Sequence, residues 1–186
     1  MRTIKLITKT CAALLLVLMT GACTTTTITP ELVQKPTSAI DRIAVGDIAI
    51  DPQYQQWGYL IAHFRQGLLT GLREGGFSQV IESPSNPGGG AMLLNGRITE
   101  VDEGSMAARI IIGFGAGRAR TRGVFELKDE RDIVQVRFES RKAYSGGAGI
   151  GGMDMVSLPT MMTELGQETA KSIIRWSKGQ DLEPPD

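Results

Sequence analysis

RARTRGVFELKDERDIVQVRFESR, residues 118–141, decides the fold class. Val134, Val136 and Phe138 alternate with Gln135, Arg137 and Glu139, the period of a strand with one face toward a core. Arg118–Leu127 precedes them as a second strand, and KDERD between the two is polar and turn-forming. A purely helical chain is excluded by this hairpin.

Working outward, Met92 to Val101 reads as a long strand, with Asn95, Arg97 and Thr99 alternating against Leu94, Gly96 and Ile98. Ala107–Ile112 reads as a further strand. Arg42 to Ile50 is a first strand ended by Asp51-Pro52, and Phe77 to Glu82 a short one. SPSNPGGG, from Ser83 to Gly90, is a loop.

Two helices complete the pattern. Tyr54 to Arg73 carries Leu60, Phe64, Leu68 and Leu72 at every fourth position, with Ile61 and Leu69 widening the stripe, and stops at Gly75-Gly76. Leu158 to Ser177 places Met162, Leu165, Thr169, Ile173 and Trp176 on one face, with Pro159 suited to its first turn. Two helices that each bury one face predict an α+β domain: two amphipathic helices packed on a single, mostly antiparallel sheet in two layers.

The amino terminus has a separate logic. Arg2, Lys5 and Lys9 precede a short apolar run, Cys11 to Met19, too short to span a bilayer. Together they read as a secretory signal. Thr20-Gly21-Ala22-Cys23 resembles the lipobox of bacterial lipoproteins, although Thr20 stands where leucine is usual. The resemblance implies cleavage before Cys23, acylation of Cys23 and attachment to a membrane. Thr24 after the cysteine implies the periplasmic face of the outer membrane, since aspartate there marks inner-membrane retention in related lipoproteins. The expected organisation is a signal over 1–22, lipidated Cys23 with a flexible tether over 23–40, one domain over 41–178 and a polar tail over 179–186. TTTTITPELVQKPTS, threonine-rich and without period, is the tether.

Charge excludes one class of partner. The chain has 20 basic and 20 acidic residues; losing Arg2, Lys5 and Lys9 with the signal leaves it 3 charges negative. There is no basic footprint for nucleic acid. With Cys11 removed and Cys23 acylated, the mature chain has no disulfide pair.

MLLNGRITE over 92–100, IIIGFGAGRAR over 110–120 and SGGAGIGG over 145–152 resemble a family of bacterial envelope lipoproteins catalogued as domain of unknown function 4410. The resemblance spans about Arg42 to Trp176, supports the lipoprotein reading and brings no known activity. The strand–helix–strand opening is also similar to small α/β modules of envelope assembly proteins, by element order alone.

Gly113, Gly115 and Gly117 invite a phosphate-loop reading, but a helix must follow such glycines directly, and here a strand does. The glycines fit a bulge, a tight bend or close backbone approach better. Gly147, Gly149 and Gly151 lie in the second run. A hairpin puts both runs at one end, opposite KDERD. Those six glycines with Arg118 and Arg120 are the candidate partner-binding residues. Arg118, Arg120 and Arg122 share one strand face, where they either meet an anionic group or pair with acids such as Glu139.

The single His63 makes a poor metal site alone. Asp47, Asp51, Asp102 and Glu103 are the carboxylates available for a pair, at spacings that establish no proximity. Trp57, Tyr59 and Trp176 fit either core packing or contact with a membrane or partner. No catalytic residue, metal or cofactor is assigned. The expectation is a non-enzymatic outer-membrane lipoprotein with an envelope protein partner. The alternative is small-ligand binding at the glycine/arginine end. A hydrolase acting on an envelope polymer is the third class.

Overall fold

In the computed structural model the described residues are 23–82, 89–105, 118–145 and 157–183. They form strands β1 (Cys23–Val33), β2 (Arg42–Ile50), β3 (Gln79–Glu82), β4 (Met92–Asp102), β5 (Ala119–Lys128) and β6 (Val134–Ser145). Helices α1 (Leu60–Glu74) and α2 (Leu158–Ser177) complete the domain. One sheet holds all six strands in the order β1-β6-β5-β4-β2-β3. The fold is α+β, in two layers, as expected. The sheet is largely antiparallel, with β2 parallel to both β3 and β4.

The parallel pairs follow from connectivity. α1 carries the chain from β2 back to the start of β3, a crossover that only a helix-length segment can make. β3 is four residues long, and the next described residues lead into β4 on the other side of β2. Arg42 holds the approach to β4, donating from Nη1 to the Gly89 carbonyl at 2.7 Å.

α1 begins at Leu60 rather than Tyr54. Pro52–Trp57 is a 3-10 turn in which Tyr54 is non-helical, and the Gly58 N–H bonds to the Gln55 carbonyl. α2 has the predicted bounds. Ser157 accepts from the Thr160 N–H at 3.3 Å, Pro159 lies in the first turn, and Gly179 (φ +73°) ends the helix.

The helices touch through backbone. A methyl group on Gly67 would overlap the Thr163 carbonyl oxygen, and one on Gly166 the Phe64 carbonyl oxygen. At Gly71 it would lie 2.7 Å from the Ala170 Cβ. Beneath α1, the Phe64 and Phe125 rings stack at 5.0 Å, tilted by only 1°. Phe125 lies over Gly123 of its own strand and Gly96 of the adjacent β4, where any side chain would strike its ring. Leu94, Ile98, Leu127, Val136 and Phe138 extend this core, and Leu165, Ile173 and Trp176 close it from α2.

The expected tether is corrected in its first half. Cys23–Val33 is an edge strand, paired antiparallel with β6 from Cys23↔Ser145 to Val33↔Val136. Ile28 is buried in the core, and the register shifts between Pro30 and Leu32, where proline cannot donate to a ladder. Trp176 Nε1 donates to the Gln34 carbonyl at 2.8 Å and fixes the chain just beyond the strand. The ordered sheet thus starts at Cys23, well before residue 41.

The β5–β6 turn is organised by Asp129. Its carboxylate accepts from the Arg131 N–H at 2.9 Å, the Ile133 N–H at 3.0 Å and the Gln135 amide at 2.9 Å. The Ile133 N–H is the main reason that this carboxyl group titrates below its ordinary range. Asp132 takes a left-handed conformation, φ 61°.

Candidate functional site

Alternation along the strands sorts side chains between a covered and an uncovered face. β5 turns Thr121, Gly123, Phe125 and Leu127 toward the helices, and Arg120, Arg122, Val124, Glu126 and Lys128 away. On the uncovered face Arg122 bridges Glu100 at 3.0 Å and Glu139 at 3.6 Å. Arg137 reaches Glu126 at 3.0 Å, and Arg141 reaches Glu139 at 3.5 Å. Arg122 is 33% exposed and Glu139 22%, so neighbouring side chains already cover much of each. The acid-pairing reading of the arginine row therefore holds at Arg122. Arg118 and Arg120 are exposed.

Gly113, Gly115, Gly117, Gly147, Gly149 and Gly151 lie outside the described residues, as does the expected strand Ala107–Ile112. Their flanks are described. Ala119 pairs with Tyr144, Arg120 with Asp102, and Cys23 with Ser145. Arg118 and Ser145, which flank the two runs, thus lie at one end of the sheet, opposite the Asp129 turn.

A buried polar row was missed by sequence reasoning. Lys142, 5% exposed, faces α2 and pairs with Glu164 at 2.9 Å; its Nζ also donates to Thr26 Oγ1 at 3.3 Å. The Thr121 and Ser140 hydroxyls are buried beside it without a hydrogen-bond partner among the described residues. Extending the Val136–Phe138 alternation to Ser140, Lys142 and Tyr144 is the signal that finds this row. Burying a cation is costly unless it is paired, and Glu164 supplies the pair.

The remaining candidates are dispersed. Asp51 pairs with Arg97 at 3.1 Å, and Asp102 accepts from the Gly104 N–H at 2.8 Å. The Asp47 N–H bonds to Asn95. His63 is half-buried on α1. Trp57 and Tyr59 hold their rings 6.2 Å apart, with Tyr59 54% exposed, whereas Trp176 is a core residue. Among the described residues, no three His, Cys, Asp or Glu side chains form a group that could hold a metal. No helix among them is long and apolar enough to cross a membrane. A cleft of about 560 Å³ lies between β1 and α2, lined by Thr26, Ile28, Lys171, Ser172, Arg175 and Leu182 among others.

The model of a domain of unknown function, DUF4410, matches residues 56–170. The chain belongs to this family. Its match runs from the turn before α1 into α2 as far as Ala170, and so takes in α1, strands β3 to β6 and the first part of α2. No curated protein matches in sequence. Two similar solved structures are of PelC from Paraburkholderia phytofirmans, both dodecamers. One is 17% identical, covers 85% of this chain and 99% of its own, with a TM-score of 0.50. The other, a point variant, is 17% identical, covers 85% and 98%, and has a TM-score of 0.48. At this identity the likeness is one of fold.

Proposed function

We propose that the protein is a lipid-anchored, non-enzymatic component of the bacterial envelope. It attaches to the periplasmic face of the outer membrane through Cys23 and binds protein partners, including further copies of itself. The single observation that carries the binding role is the uncovered sheet face. Among the described residues, helices cover only the other face, and half-covered ion pairs such as Arg122–Glu139 form a broad polar surface. Such a surface suits protein recognition, where paired charges set register and specificity. The amino-terminal pattern through Cys23 supports the anchor. PelC, of similar fold, is a dodecamer, which makes self-association the first interaction to measure.

The test is cross-linking of the lipidated protein in intact membranes. A ladder of multimers or a discrete mixed complex is expected, weakened by Arg137→Glu on the uncovered face while the thermal melt is retained. Monomer alone in membranes, with the fold intact, would reject the reading.

The cleft between β1 and α2 favours a second reading, binding of a small ligand with an apolar body and a head carrying both signs of charge. Ile28 and Leu182 would contact the body; Lys171, which pairs with Glu168 at 2.8 Å, would face the head together with Arg175 and Glu183.

A further inference from the structure

We infer that β1 is a rigid stalk that stands the domain on the membrane, with the sheet end bearing Cys23, Asp102, Arg120 and Ser145 facing the lipid surface. This rests on the proposed acylation of Cys23 and adds an orientation that acylation alone does not imply. Cys23 itself lies in an edge strand and pairs with β6, Cys23↔Ser145. No slack lies between the anchor and the sheet.

Register places the rest of the end. Ser145 lies beside Tyr144, which pairs with Ala119, and the adjoining Arg120 pairs with Asp102. α2 runs in the same sense as β1. Glu164, in its first half, meets Lys142 beside Thr26, while Trp176, near its end, meets Gln34 beyond Val33. The start of α2 therefore lies toward the Cys23 end too. Exposed Arg118 and Arg120 project from this end, where anionic headgroups would meet them.

The orientation has a length scale. Strands rise about 3.3 Å per residue, so Arg120 at one end of β5 and Lys128 at the other are roughly 26 Å apart. A flexible tether over Thr24–Ser38 would instead have an end-to-end distance of roughly 20 Å and leave the domain free to tumble. On the rigid stalk the two ends of β5 stay at different heights; on the tether they average to the same one.

The experiment uses the full lipidated protein in phosphatidylethanolamine–phosphatidylglycerol vesicles containing a headgroup nitroxide lipid. Cys11 departs with the signal and the Cys23 thiol is acylated, so an introduced cysteine is the single free thiol for a fluorophore. Labels go on Arg120→Cys, at the proposed membrane end, and on exposed Arg131→Cys in the opposite turn. The Arg120 label should be quenched several-fold more strongly, and a flexible Gly-Ser insertion between Cys23 and Thr24 should abolish the difference. Equal quenching in the two uninserted proteins, stronger quenching at Arg131, or a difference that survives the insertion overturns the stalk. Mass spectrometry of the amino-terminal peptide separates the two failures: acyl mass on Cys23 with equal quenching defeats only the orientation, and absence of acyl mass defeats the anchor and the stalk together.

Discussion

On β5 the residues facing the helices are Ala119, Thr121, Gly123, Phe125 and Leu127, all buried; those facing away are Arg120, Arg122, Val124, Glu126 and Lys128, none fully buried. The two faces alternate along one backbone and are stabilised differently. On the covered face shape decides. Gly67 and Gly166 bring helix backbones into contact, and Gly96 with Gly123 makes the hollow that Phe125 fills. On the uncovered face charge decides, through pairs that solvent partly screens. The comparison shows why one residue type, glycine, is indispensable on the first face and absent from the ion-pair network of the second.

The largest expected effect lies in the hollow. Phe125→Ala removes a fully buried ring stacked on Phe64 and should destabilise the protein by about 3–5 kcal/mol, read from the denaturant midpoint. A loss near zero would mean that the two glycines do not seat the ring.

Gly67→Ala separates helix propensity from packing. Propensity alone would stabilise α1 by about 1 kcal/mol. Overlap with the Thr163 carbonyl should cost about 2–3 kcal/mol, leaving a net loss of about 1–2. A gain in melting temperature would show that the helices do not meet through backbone there.

The smallest effect belongs to the uncovered face. Arg122→Ala should cost about 1 kcal/mol or less, because Glu100 and Glu139, 24% and 22% exposed, keep some access to water. High salt should shrink that cost and leave the Phe125→Ala and Gly67→Ala costs unchanged. Salt-independent destabilisation by Arg122→Ala would show that the guanidinium acts by packing, and would blur the contrast between the faces.

Legibility in the sequence followed the same division. β4, β5, β6 and both helices were readable because their covered faces are apolar and their exposed faces are largely not, and β2 because it is an apolar run ended by Asp51-Pro52. α2 was readable to the residue, since Pro159 and Gly179 punctuate it. β1 was not, because Thr25, Thr27 and Thr29 on one side and Thr26 on the other provide no contrast between faces, and Pro30 argues against a strand except at an edge. The helix seam escaped for another reason. Gly67 and Gly71, four positions apart, break no apolar period, so a reading based on leucines passes over them although the spacing is visible. The Lys142–Glu164 pair brings together residues of a strand and a helix that only the fold aligns. Of the candidate site, the common end of the two glycine-run flanks was legible from hairpin geometry. The partners of Arg122 were half legible, Glu139 being expected and Glu100 not.

The seam between β1 and β6 also carries a history of assembly. Thr26 and Lys142, which meet across it, are 116 positions apart. A chain made from its amino terminus presents β1 long before β6, its neighbour among the described strands, exists, and contacts of such long range are slow to form. β1 therefore enters the sheet after β6 has been made, and a chain cut short before Val134 lacks the strand that it pairs with here. Docking of β1 thus serves as a check that β6 has been made.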